Sequence, residues 1–135
     1  MKAIIPTELE KRTSDKWGMG HFGAPRGNHT HHGQDYKCPA DAHVQAPCSG
    51  RVTKLGYAYP DDLSFRYVEI TANDGKRHRI FYILPKVFDS SIVREGDVIG
   101  YAQDLEQRYP GITQHVHYEI IDIDGNYIDP EQLDV

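Results

Sequence analysis

From Asp35 onward, hydrophobic and polar positions follow one another with a short period that predicts β-strands rather than helices. Runs rich in Val, Ile, Tyr and Phe cover Ala42 to Ala46, Arg51 to Tyr59, Ser64 to Ala72 and Lys76 to Leu84. Turn-forming segments separate them: Pro47-Cys48-Ser49-Gly50, Pro60-Asp61-Asp62 and Asn73-Asp74-Gly75. The last is a strong hairpin signal, because Asn, Asp and Gly tolerate the left-handed backbone that tight hairpins need. Pro85 should end the fourth run, and Val93 to Gly100 reads as a turn leading into a further strand. Leu105 to Thr113 contains Tyr109-Pro110-Gly111 and reads as a loop. Gln114 to Ile121 alternates again, Asp124-Gly125-Asn126 is a tight turn, and a short turn over Glu131–Leu133 closes the chain.

The first forty residues look different. Thr7 to Arg12 predicts a short helix, with Thr7 and Glu10 shaped like a capping box. Trp17 to Gly27 then holds five Gly and Pro in eleven residues and reads as a loop. Its aromatic groups suit the wall of a site. The whole pattern predicts a mainly β, single-domain antiparallel sandwich or open barrel with long loops. It spans residues 1–135, with 1–19 as an N-terminal extension.

Composition narrows the function classes. A chain of 135 residues is long enough for one hydrophobic core. Fifteen basic against twenty acidic residues leave a net charge of −5, and no basic run exceeds two, so a nucleic-acid partner is not expected. No apolar stretch is long enough to span a membrane. The N-terminal residues lack the apolar core of a secretory signal, which predicts synthesis in the cytoplasm and action outside after lysis, by non-classical export or in a virion. Cys38 and Cys48 lack the C-x-x-C spacing of a structural zinc or redox site. A bridge between neighbouring strands and two small buried thiols both fit that spacing, and reduced, structural cysteines are the expectation.

Candidate chemistry concentrates in two stretches about eighty residues apart. Thr30-His31-His32-Gly33-Gln34-Asp35-Tyr36 places His31 and Asp35 four apart with Gly33 between them. Four extended steps span about 13–14 Å, so both side chains meet one ion only if the chain bends. Gly33 is expected to permit that bend through a positive φ. In the second stretch, His115 and His117 are two apart on a strand and project from one face. Imidazole and carboxylate both bind zinc, and three ligands with one open position make a catalytic site. His31, Asp35, His115 and His117 are therefore four candidate groups for one metal site.

These motifs together resemble the lysostaphin/LytM-type zinc metallopeptidases, which cleave peptide cross-links of bacterial peptidoglycan. The resemblance runs from about Gly20 to Leu133 and rests on several segments. They are His31-x-x-x-Asp35, Val44-Gln45-Ala46-Pro47 followed by Ser49-Gly50-Arg51-Val52, Gly96-Asp97-Val98-Ile99-Gly100, His115-Val116-His117, and Asp129-Pro130 with Leu133. It implies Zn2+ as cofactor, His31, Asp35 and His117 as ligands, and His115 as catalytic base or transition-state partner. Phe22, Arg26 and Tyr82 are the expected substrate contacts, and a wall peptide is the expected partner.

One departure stands out. The family's Tyr-x-His-Leu strand motif corresponds to Ile80-Phe81-Tyr82-Ile83-Leu84, with Ile83 at the histidine. Losing one preorganised donor from such a site can cost about 10²–10³ in rate. Alternation predicts that Tyr82 faces away from Ile83 unless a bulge intervenes, and His78 reads as a surface residue. Phe81-Tyr82-Ile83-x-Pro85 and Tyr109-Pro110-Gly111-Ile112 resemble a chemotaxin-like branch that keeps the fold and ligands and is regarded as lacking peptidase activity. The leading expectation is a zinc endopeptidase, of phage or bacterial origin. The alternative is a zinc-holding module that binds wall peptide or a protein without cutting it. A biotinyl- or lipoyl-type carrier is disfavoured because no Lys sits on a tight turn between the hairpin-like motifs.

Overall fold

The computed structural model describes residues 12, 14–15, 18–19, 23, 25–26, 29–30 and 32–130. Its fourteen strands are β1 (Ser14–Asp15), β2 (Gly18–Met19), β3 (Pro25–Arg26), β4 (His29–Thr30), β5 (Gln34–Lys37), β6 (His43–Gln45) and β7 (Gly50–Tyr59), followed by β8 (Asp62–Ala72), β9 (Arg77–Phe81), β10 (Ile83–Pro85), β11 (Ile92–Val93), β12 (Val98–Ala102), β13 (His115–Ile121) and β14 (Tyr127–Ile128). Among the described residues there is no α-helix, and a 3-10 turn lies at Leu105–Gln107. Among the described residues no helix is long and apolar enough to cross a membrane. The predicted Thr7–Arg12 helix lies outside the described residues, Arg12 excepted, as does the Glu131–Leu133 turn. Described parts of the loop around Trp17–Gly27 form two small antiparallel ladders, β1 with β2 and β3 with β4.

A curled antiparallel sheet runs β11-β7-β8-β9-β13-β14, with β5 added beside β13. A second sheet, β10-β12-β6, faces it. Val44, Ile83, Ile99 and Ala102 from the small sheet share one core with Val52, Val68, Ile70, Ile80, Val116, Tyr118 and Ile120 from the large one. Sandwich packing follows from the alternation: one side of each strand supplies these aliphatics and the other stays available for chemistry. The hairpin at Asn73-Asp74-Gly75 forms, joining β8 to β9, with Gly75 at φ 87°.

Lys76 to Leu84 is not one strand. It breaks at Tyr82, and Ile83–Pro85 crosses into the other sheet to pair with β12. Pro85 is the last residue of that short strand rather than a residue beyond it. His78 is also not on the surface: it is 3% exposed, and its Nδ1 lies 2.7 Å from the Tyr118 hydroxyl in the core. The period-2 pattern of Arg77, His78, Arg79 and Ile80 puts His78 beside Ile80 on the inner face, a position that polarity alone argued against. Burial lowers His78 from 6.5 to about 4 and keeps it neutral.

Register sets up the outer face. Gly56 pairs with Tyr67, Tyr67 with Phe81, Phe81 with His117, and His117 with Asp35. Directly opposite residues share a face, so these five form a row across five neighbouring strands. Two residues along, Lys54, Glu69, Arg79 and Glu119 form a parallel row of alternating charge. Glu69 and Arg79 bond at 2.7 Å within it.

Candidate metal and catalytic site

Asp35 and His117 are brought together by backbone pairing, since β5 and β13 align them as direct partners. His117 Nδ1 lies 2.9 Å from Asp35 Oδ1, and its Nε2 lies 2.9 Å from Glu119 Oε1. Burial opposes charge on this ring, but the two carboxylates outweigh it and raise His117 to about 9. Without metal, the imidazolium is thus clamped between two anions. A divalent cation at Nδ1 would replace one of those protons.

His115 projects from the same face. Its Nδ1 lies 2.7 Å from the Thr113 carbonyl, and its Nε2 lies 3.4 Å from Asp35 Oδ2. A carbonyl only accepts, so the bond places the proton on Nδ1 and leaves the basic lone pair on Nε2. Burial lowers the His115 pKa against the opposing pull of Asp35, favouring neutral imidazole. That is the protonation state that general-base chemistry needs, with the lone-pair nitrogen turned toward Asp35.

Gly33 serves the site differently from the expectation. It does not adopt a positive φ. A Cβ there would meet the Tyr118 carbonyl oxygen and would lie 2.8–2.9 Å from His117 Cε1 and Nε2. The loop therefore needs glycine for close approach, not for handedness. Beside it, His32 stacks on Tyr127 of β14 with centroids 4.0 Å apart.

The break at Tyr82 decides which residue faces the site. Ile83 is fully buried in the core. Tyr82 takes φ 70°, a conformation costing about 1–2 kcal/mol for a residue with a Cβ. Its N–H bonds to Arg66 O and its carbonyl accepts from Gln103 N, both at 2.8 Å. These bonds hold the turn, and the phenol packs edge-on to His115 with centroids 5.6 Å apart. Its hydroxyl meets Tyr59 at 3.0 Å, and Tyr109 donates to Tyr59 at 2.6 Å. Burial raises Tyr82 to about 12, so the phenol stays protonated. Arg108 caps the cluster, 3.8 Å above the Tyr59 ring.

Of the other residues singled out by sequence, His31 and Phe22 lie outside the described residues, and Arg26 is placed by its backbone in β3, paired with His29. Two residues were missed. Glu119 continues the alternation of His115 and His117 and was legible as H-x-H-x-E. Arg12, whose Nη1 bonds Asp35 Oδ2 at 2.8 Å, carries no local signal. Cys38 and Cys48 are free thiols, both raised to about 12, chiefly by burial.

Among the described residues, no group of three or more His, Cys, Asp or Glu side chains forms a metal-holding cluster. The described part contributes Asp35 Oδ1 and His117 Nδ1, an oxygen and a nitrogen suited to zinc. Glu119 on the remaining imidazole nitrogen is the outer carboxylate that metal-binding histidines usually have. This donor set fits the metal that the motif implies.

Residues 29–130 match peptidase family M23. The chain belongs to that family. It is 33% identical over 113 residues to leukocyte cell-derived chemotaxin-2 of Mus musculus, covering 84% of this chain and 74% of that one. The Bos taurus protein is 31% identical over 114 residues, with 84% and 75% covered. Among solved structures, the catalytic domain of lysostaphin from Staphylococcus simulans superposes with TM-score 0.63 at 20% identity, covering 85% of this chain and 81% of that one. A zinc-containing peptidase from Vibrio cholerae gives 0.67 at 20% identity, covering 94% and 40%. Against the solution structure of lysostaphin, this chain spans 44% of that chain's length. At these identities the structural likeness establishes the shared fold.

Proposed function

We propose that this M23 domain is a zinc-dependent endopeptidase that hydrolyses peptide cross-links of bacterial peptidoglycan. The observation that carries the reading is the convergence of Asp35, His117 and the lone-pair nitrogen of His115 on one face. Asp35 and His117 would hold zinc together with His31, which the family motif supplies. Bound zinc would polarise the scissile carbonyl and bring a water's pKa toward neutrality.

The chain's own groups do the rest. His115 Nε2 accepts the attacking water's proton and returns it to the leaving amine. The Thr113 carbonyl fixes its tautomer. Glu119 fixes the ring of His117. The Tyr82 phenol, protonated and packed edge-on to His115, would donate to the peptide in place of the histidine that Ile83 replaces. Phe81 and Tyr67 extend an aromatic floor away from His117, their centroids 4.5 Å apart.

A second reading is favoured by Ile83, which sits in the core where the family places a histidine. In it the domain holds zinc and binds wall peptide or a protein partner without cutting. Purified peptidoglycan incubated with zinc-loaded protein separates the two. The enzyme reading expects soluble muropeptides that disappear on chelation. Stoichiometric zinc with retained but uncut peptide would leave only the binding module.

A further inference from the structure

We propose that Arg12 is a positioning residue for the metal centre, dedicated to the second oxygen of Asp35. The inference rests on the zinc reading above and concerns how this chain prepares its carboxylate ligand. Arg12 is 3% exposed although it carries a permanent charge, and buried cations persist only with a partner. Its N–H donates to the Asp35 carbonyl at 2.9 Å, fixing the two backbones side by side. Its Nη1 donates to Oδ2 at 2.8 Å. Asp35 thereby has its oxygens divided: Oδ2 to the guanidinium, Oδ1 to His117 Nδ1.

With Oδ2 occupied, Asp35 presents a single oxygen to a metal held at His117 Nδ1. A distant N-terminal residue, 23 positions before its partner, thus sets ligand denticity.

The test is metal affinity of the full chain, measured by competition with a chromophoric chelator, together with the visible spectrum of the cobalt(II)-substituted protein. Arg12→Leu should weaken zinc about 10–100-fold, the usual effect of losing an outer partner, and should shift the cobalt bands. Arg12→Lys, keeping charge and one donor, should recover part of the loss. In an Asp35→Asn background, Arg12→Leu should change affinity less than threefold, because its effect runs through that carboxylate. If Arg12→Leu fails to fold, Arg12→Lys compared in the two backgrounds decides the question by the same criterion. Undiminished zinc affinity, or an equal loss in both backgrounds, overturns the role of Arg12 while leaving the metal reading intact. Failure of the unmodified protein to take up zinc overturns both.

Discussion

His78 and His117 sit on neighbouring strands of one sheet, both almost wholly buried, and their chemistry runs in opposite directions. His78 faces the core beside Ile80 and Tyr118, where a hydroxyl is its hydrogen-bonding partner, and burial drives it down to about 4. His117 faces outward between Asp35 and Glu119, and those carboxylates lift it to about 9 against the same burial. Depth does not set the charge of a histidine in this fold. The face of the strand, and therefore the carboxylates in reach, does.

The largest test of that contrast pairs His115 with His78. His115→Ala should cut muropeptide release by about 10²–10⁴, the span of general base catalysis, with the melting temperature nearly unchanged. His78→Ala should do the reverse. Comparable turnover losses in both would erase the distinction between faces.

Acid titration sharpens it next. The folded pKa of His78 lies below its unfolded value of 6.5, so the unfolded chain binds the extra proton between pH 6.5 and 4. Its contribution is complete above pH 6.5 and declines as pH falls toward 4, by at most about 3 kcal/mol. Denaturant midpoints across this range should fall in the parent and stay flatter in His78→Phe.

Gly33→Ala comes third. A methyl group between the Tyr118 carbonyl and the His117 ring should cost about 1–3 kcal/mol and weaken zinc binding together with stability. Substituting Ala at Gly125, where a Cβ would meet nothing within 4 Å, supplies the control for zinc binding. Smallest of all, Tyr118→Phe removes the hydroxyl from His78 and should lower unfolding free energy by about 1 kcal/mol, leaving activity alone.

Sequence patterning reached the strands, the Asn73-Asp74-Gly75 hairpin and the facing of His115 with His117, because each is a local periodicity. It stopped where long-range bonds override the period. Tyr82 is the clearest case: it faces away from Ile83 as alternation expected, but the break puts Ile83 in the core and the phenol on the site side, where the family histidine was expected at position 83. Backbone bonds to Arg66 and Gln103 impose a left-handed residue there and swing the phenol toward His115. Arg12 was illegible for a related reason, since nothing near it in sequence marks a partner 23 residues on. Gly33 was recognised as necessary, but its reason lies in a close approach to β13 that only the assembled sheet creates.

The pairing of Asp35 with His117 joins residues 82 apart. Closing so long a loop is entropically costly early in folding and makes the pairing slow to form. The centre therefore exists only once the front and back of the chain have met. An ion bound there would act as a clip that penalises the open chain, and removing it should speed local opening of β5 from β13. Amide exchange at Asp35 to Lys37 would then report occupancy of the centre without any substrate present.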